Sequence, residues 1–270
     1  MSLKSIFITL LMTFLITGCQ QRIINQAINN QSSTSNEVDV VDVKEVVTGD
    51  KTESSSSSPD IDLENMPEPE VNESVIPESL DYPVAFISQA PYAVWDDLHK
   101  EACEEASMIM VAKYFKQEPL TAHTMEQSIL NLVNWENDSN YKIDLTALEV
   151  RDILENYFDL KAELVTEVTI ERIKEELASG KLIIVPAAGR QLGNPYFQTP
   201  GPIYHMLVIR GYDERNFITN DVGTKRGEGY KYKYQKLIDA IHDWDHNLAI
   251  DGMTDEEINQ GRKAMIVVSK

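Results

Sequence analysis

Residues 203–220 read IYHMLVIRGYDERNFITN, and this stretch decides the fold class. Two runs rich in β-branched and aromatic residues, 203–210 and 216–220, flank a polar turn around Tyr212, Asp213, Glu214 and Arg215, which is the pattern of two adjacent strands. On either side of it, LIIVP at 182–186, residues 230–234 and the terminal Ala264–Val268 read as further strands, with a helix over 235–243. Upstream the apolar spacing changes to three and four. Helices are expected at 103–115, near 124–134, at 146–157 with Asp144 as its cap, and at 169–179, which starts at Thr169 and stops at Gly180. Tyr82–Ile87 reads as a strand ahead of them. Helices come first and strands later, so the fold class is α+β, with N-terminal helices packed on an antiparallel sheet. One domain over residues 81–270 accounts for the pattern.

What precedes that domain has a different texture. Ile6–Ile16 (IFITLLMTFLI) is an apolar run behind Lys4, too short for the roughly 20 residues that span a bilayer, and it fits the apolar part of a signal peptide. It ends in Leu15-Ile16-Thr17-Gly18-Cys19, which resembles the lipobox of bacterial lipoproteins. The resemblance implies cleavage after Gly18, a lipid on Cys19, and a membrane partner through that anchor on the extracytoplasmic face. Residues 1–18 are thus read as signal and 19–80 as a tether. The tether carries Ser54–Ser58 and Pro59, Pro67, Pro69 and Pro77 with an excess of acid, a composition that cannot bury enough surface to offset chain entropy. Val38–Val47 alternates weakly but has no neighbouring segment to pair with.

The net charge of −20 falls on both parts, leaving −11 on residues 81–270. No basic stripe offsets it, so nucleic acid is excluded as a partner. The two cysteines, Cys19 and Cys103, are too few for a disulfide framework. With Cys19 lipidated, Cys103 is the remaining thiol, and it is either buried and inert or at work.

Cys103 stands where the pattern begins a helix, a position that favours thiolate. A nucleophilic cysteine needs a base and a group that orients the base. His205 lies within an apolar strand, where a polar ring must find a partner. The next strand delivers Asn220 and Asp221, and alternation lets only one of them face the imidazole. Taken singly, a strand histidine or a helix cysteine is more often a core residue than a catalyst.

Residues 86–111, FISQAPYAVWDDLHKEACEEASMIMV, and residues 205–230, HMLVIRGYDERNFITNDVGTKRGEGY, resemble the two halves of the catalytic region in the exported relatives of bacteriocin double-glycine leader peptidases. These are family thirty-nine-like cysteine peptidases of the papain-like clan. The resemblance covers roughly 82–268. It implies a papain-like fold, with Cys103 as nucleophile, His205 as base, Asp221 as orienting residue and Gln89 as oxyanion donor beside the Cys103 N–H. Two departures stand out. Gln89 and Cys103 are 14 residues apart, longer than in leader peptidases, so Trp95 and His99 fall in an insertion near the cleft. Glu104 and Glu105 follow the cysteine where leader peptidases have a small glycine, and carboxylates there oppose thiolate formation.

Other signals are weaker. His242 and His246 have the spacing that places two ligands on one helix face, but no third histidine follows, and no metal or other cofactor is expected. Residues 247–258 depart from a calcium loop at Ala249 and Ile258. Gly223–Gly229 lacks the spacing of a phosphate-binding loop. Pro200-Gly201-Pro202 reads as a turn on the rim of the cleft, and Trp95, Trp135 and Trp244 as core or cleft wall.

The sequence therefore points to a monomeric, membrane-tethered cysteine peptidase-like hydrolase. It would act on a peptide or protein substrate through a thioester at a peptide or isopeptide bond. The alternative is a non-catalytic module that keeps the fold and binds a peptide or a cell-wall component.

Overall fold

The computed structural model describes residues 76–270; the expected signal, Cys19 and the tether up to residue 75 lie outside the described residues. Elements follow in the order β1 (Leu80–Asp81), α1 (Asp97–Lys100), α2 (Cys103–Lys116), α3 (Ala122–Asp138), α4 (Ala147–Asn156), β2 (Lys161–Val165), α5 (Ile170–Ala178), β3 (Leu182–Ala188), α6 (Gly189–Leu192), β4 (Tyr204–Tyr212), β5 (Asn216–Asn220), β6 (Tyr230–Lys233), α7 (Tyr234–Ala240), α8 (Asp255–Ile258) and β7 (Met265–Ser269). The strands form one seven-stranded sheet in the order β2-β7-β3-β4-β5-β6, with β1 beside β4. All its pairings are antiparallel. The α+β class is confirmed.

The sheet is covered on both faces, and the central strands carry the mark of it. β3 and most of β4 are continuously buried, the run expected when neither face meets water. Leu182, Ile184, Met206, Val208 and Ile266 pack into one core with Ala106, Ile109 and Met110 of α2 and with residues of α3 and α4. The alternate residues Ile183, Val185, Leu207, Ile209 and Val267 pack into a second core with Ile173 and Leu177 of α5 and Leu237 and Ala240 of α7. The N-terminal helices thus cover one face, joined there by Ile258 of α8, and α5 and α7 cover the other.

Several boundaries correct the sequence reading. Residues 82–87 are irregular, and only Leu80 and Asp81 pair with β4. Pro83 has no N–H to give a ladder. The Val84 carbonyl is taken by the Asn220 side-chain amide at 3.0 Å and by Arg210 at 3.1 Å. Helix α4 is capped by Thr146 rather than Asp144. The Thr146 hydroxyl accepts from the Glu149 N–H while Glu149 accepts from the Thr146 N–H, a reciprocal cap that satisfies two orphan donors. Helix α7 ends at Ala240, because Ile241 turns extended and bridges to Ala187. His242 and His246 therefore share no helix face. The edge strand β2, with its alternating exposure, has no counterpart among the expected elements. Among the described residues no helix is long and apolar enough to cross a membrane.

Candidate active site

The β4–β5 hairpin brings His205 and Asp221 together. Strand β5 ends at Asn220, paired with Val208, and the next residue reaches back toward the start of β4. Asp221 Oδ1 accepts from His205 Nε2 at 2.8 Å, and both side chains are buried. The rest of the Asp221 carboxylate is also held. Oδ2 accepts from Asn194 Nδ2 at 2.9 Å and from the Tyr232 hydroxyl at 2.5 Å, and Oδ1 accepts from the Gly223 N–H at 3.1 Å. Burial pushes this carboxyl up, but His205 and the Tyr232 and Asn194 donors outweigh it and hold it below the ordinary aspartate range. Asn220 faces away. Its amide donates to Val84 and its oxygen accepts from the Gly229 N–H at 3.2 Å. Of the two candidates, Asp221 is the imidazole's partner.

With Nε2 occupied, Nδ1 is the ring nitrogen left for the cleft. Phe197 braces the ring edge-on at 5.2 Å between centroids, and Gly223 lies against it. A Cβ on Gly223 would sit 2.9 Å from both His205 Cε1 and Phe197 Cε1, closer than carbon atoms tolerate. Gly227 has a similar reason. Its carbonyl accepts the Asp221 N–H at 3.0 Å, and a Cβ there would fall 1.7 Å from the Asp221 carbonyl oxygen.

Cys103 is the first residue of α2, and no side chain caps this helix start. The leading N–H groups of a helix have no partner within it, so the Cys103 amide is free of the helix ladder. Cys103 and His205 line the same cleft of about 580 Å³, with Gln89, Trp95 and Trp244 also in its wall. The thiol itself is buried and donates to Glu104 Oε2 at 2.9 Å. Burial pushes the Cys103 thiol well above its ordinary pKa, and Glu104 and then Glu105 push the same way.

Glu104 is itself in an unusual state. It is 1% exposed, and Oε1 accepts the Leu145 N–H at 3.2 Å. Burial raises its pKa to about 8, with the neighbouring Asp144 adding to the rise. Behind it, Glu105 is raised well above the carboxylate range by burial and then by Glu104 and Glu136, and burial takes Glu136 to about 7. The base of α2 is thus a nest of carboxyls that hold protons near neutrality.

Gln89 reaches the cleft, but its amide is already committed. Nε2 donates to the carbonyls of His99 and Lys100, each at 3.0 Å, and Oε1 is buried without a partner. Trp95 lines the cleft. His99 is buried between Asp96 at 2.7 Å and Glu126 at 3.0 Å, where it ties α1 to α3. His242 Nδ1 meets the Gly261 carbonyl and His246 Nε2 meets Glu149. Among the described residues no cluster of three metal-ligating side chains occurs.

Against known proteins, residues 83–247 match the model of the Peptidase_C39 like family. The chain belongs to that family. Among solved structures it is similar to a Bacillus anthracis protein described as a candidate C39-like peptidase. The identity is 16% and the TM-score 0.46, over 72% of this chain and 98% of the other. No curated protein matches. The family match establishes a cysteine peptidase-like fold. The sequence reading named Glu104 but missed Asn194, Tyr232 and Phe197, which touch the site. Asn194 and Tyr232 come from segments that only the folded sheet brings to Asp221. Glu104 carried a signal, its place beside the cysteine, but its burial against the sulfur depends on tertiary packing.

Proposed function

We propose that this C39-like domain is a thiol hydrolase of peptide or isopeptide bonds, with Cys103 as nucleophile, His205 as base and Asp221 as orienting residue. The observation that carries the reading is the buried His205–Asp221 contact at 2.8 Å, opening on the cleft that Cys103 also lines. Held by Asp221 at Nε2, His205 would receive the Cys103 proton at Nδ1. The thiolate then adds to the substrate carbonyl carbon, and the oxygen takes up negative charge beside the free Cys103 N–H. Collapse expels the amine, which leaves with the proton from His205. Water, deprotonated by the same imidazole, then hydrolyses the thioester and returns the thiol. Gln89 would join the oxyanion site by releasing one of the two carbonyls it now holds.

For Glu104 the scheme demands a particular role. A carboxylate at 2.9 Å cannot coexist cheaply with a thiolate in a buried site. The working state therefore has Glu104 neutral, its O–H donated to the sulfur. The chain's start supports a setting for this activity: a lipid-anchored protein on the extracytoplasmic face, with Cys19 as anchor and residues 20–80 as tether.

The buried thiol, raised in pKa and hydrogen-bonded to a carboxyl, favours a second reading, a non-catalytic peptide- or wall-binding module. Alkylation of Cys103 across pH separates the two. A reactive thiol near neutrality that becomes sluggish in His205→Ala supports the hydrolase. Identical profiles at or above the free-thiol value, about 8.5, support the binding module.

A further inference from the structure

Beside the Cys103–His205 cleft lies a second hollow of about 300 Å³, lined by Trp95, Tyr196, Gln198, Gly223, Lys225 and Arg226 among others. Trp95, Gln198 and Gly223 line both spaces, so the two are adjacent. Gly223 is also the residue packed on the His205 ring. A substrate group lying in this hollow would thus sit next to the reacting carbonyl.

The hollow's chemistry is specific. Arg226 stacks over the Tyr196 ring at 4.8 Å, an arrangement that holds the guanidinium without neutralising it. Neither Arg226 nor Lys225 forms an ion pair among the described residues, whereas Lys100 and Arg190 on the main cleft pair with Asp97 and Asp255. The lining of the main cleft includes Glu101 and Asp144. An acidic domain therefore presents two cations without ion-pair partners in this hollow and carboxyls in the cleft beside it. Trp95 and Tyr196, both partly exposed, supply apolar walls for the methylenes that carry a charged group.

We propose that the Trp95–Tyr196–Arg226 hollow is a substrate subsite that binds a carboxylate of the peptide next to the scissile bond. It rests on the hydrolase reading for the meaning of "scissile", but the binding preference can be measured without catalysis. The carboxylate could come from an acidic side chain or from a chain terminus, which share this chemistry.

The test uses full-length protein with Cys103→Ala, titrated by calorimetry with alanine-based pentapeptides. Each carries one Glu, Gln or Lys and is made with a free or an amidated C-terminus. The Glu peptides or the free-terminus peptides should bind about tenfold tighter than their neutral partners, the scale of a charge-assisted hydrogen bond, and the preference should shrink with salt. Which of the two series shows the preference identifies the source. In Lys225→Gln/Arg226→Gln, checked for unchanged thermal unfolding, the preference should vanish. Equal affinities across the set, no binding by any peptide, or a preference that survives the double substitution would each overturn the subsite. Failure of the hydrolase reading is seen separately, in the alkylation profile of wild-type Cys103.

Discussion

Cys103 Sγ lies 2.9 Å from Glu104 Oε2, so the candidate nucleophile and a buried carboxyl share one proton-bearing contact. The adjacency cuts both ways. An ionised Glu104 suppresses the thiolate, while a protonated one donates to it. Burial and Asp144 raise Glu104 to about 8, which favours the donor form at neutral pH. Glu104→Gln keeps a neutral donor and cannot ionise. Its Cys103 alkylation rate should match wild type near neutrality and exceed it above about pH 8, where the wild-type carboxyl loses its proton. Overlapping profiles throughout that range would remove Glu104 from the mechanism.

The Asp221 carboxylate has four donors around it, so loss of one is not equivalent to loss of another. His205→Ala removes the base and should abolish turnover of any substrate found. Asp221→Asn leaves the base but loosens it and should cost less than Cys103→Ala. Asn194→Ala, which never meets substrate in this scheme, should lower kcat by a smaller factor and shift its acidic pH limb. Asn194→Asp, placing a second carboxylate beside Asp221, should be worse than Asn194→Ala. If Asn194→Ala matches Asp221→Asn, the order of importance inferred from these contacts is wrong.

Gly223 gives a steric version of the same test. Alanine there needs its Cβ 2.9 Å from the His205 ring, so the ring must move. Gly223→Ala should lose most of the His205-dependent thiol reactivity while unfolding within a few degrees of wild type, on the scale of about 1–3 kcal/mol for overpacking. Full retention of reactivity would mean that the ring position is not critical.

Much of this was legible in the sequence, for identifiable reasons. Strand β5 was read at 216–220 because its apolar run ends at turn residues on both sides. Helix α5 was bounded by a Thr169 cap and a glycine stop. The pairing of His205 with a residue at 220 or 221 followed from two strands joined by a short turn. Other features left no local trace. Residues 82–87 look like a strand in composition, but side chains from Asn220 and Arg210 take the carbonyl a neighbouring strand would use. In α2, three/four spacing suggested one apolar face, yet Cys103–Ala112 are all buried, since the α2 segment lies beneath other elements on every side. That enclosure turns Glu104 and Glu105 from helix-start charges into protonated core groups.

For the chain's start the expected outcome is lipidation. Cells grown with a labelled fatty acid should tag the wild-type protein and release it as an untagged species in Cys19→Ser. Equal labelling of the two would rule out the anchor at that residue.

The buried carboxyls also fix how stability depends on pH. Asp144, Glu136 and Glu104 hold protons up to about 6, 7 and 8, while unfolded carboxyls release theirs near 4. Between those values the folded state binds more protons than the unfolded state, so stability falls as pH rises. Asp221, lowered by its partners, acts in the opposite sense, but only below the ordinary aspartate range. The thermal midpoint should therefore be highest in mildly acidic solution and decline toward pH 8. Each tenfold difference in proton affinity is worth about 1.4 kcal/mol, so the decline should be easily measured. Glu136→Gln removes one titrating group and should flatten the slope whether or not it lowers the midpoint itself. A slope unchanged by Glu136→Gln would remove Glu136 from this set, and a midpoint that rises from pH 5 to 8 would show that these carboxyls are ionised in the folded chain. Glu104 could not then serve as the thiolate's donor.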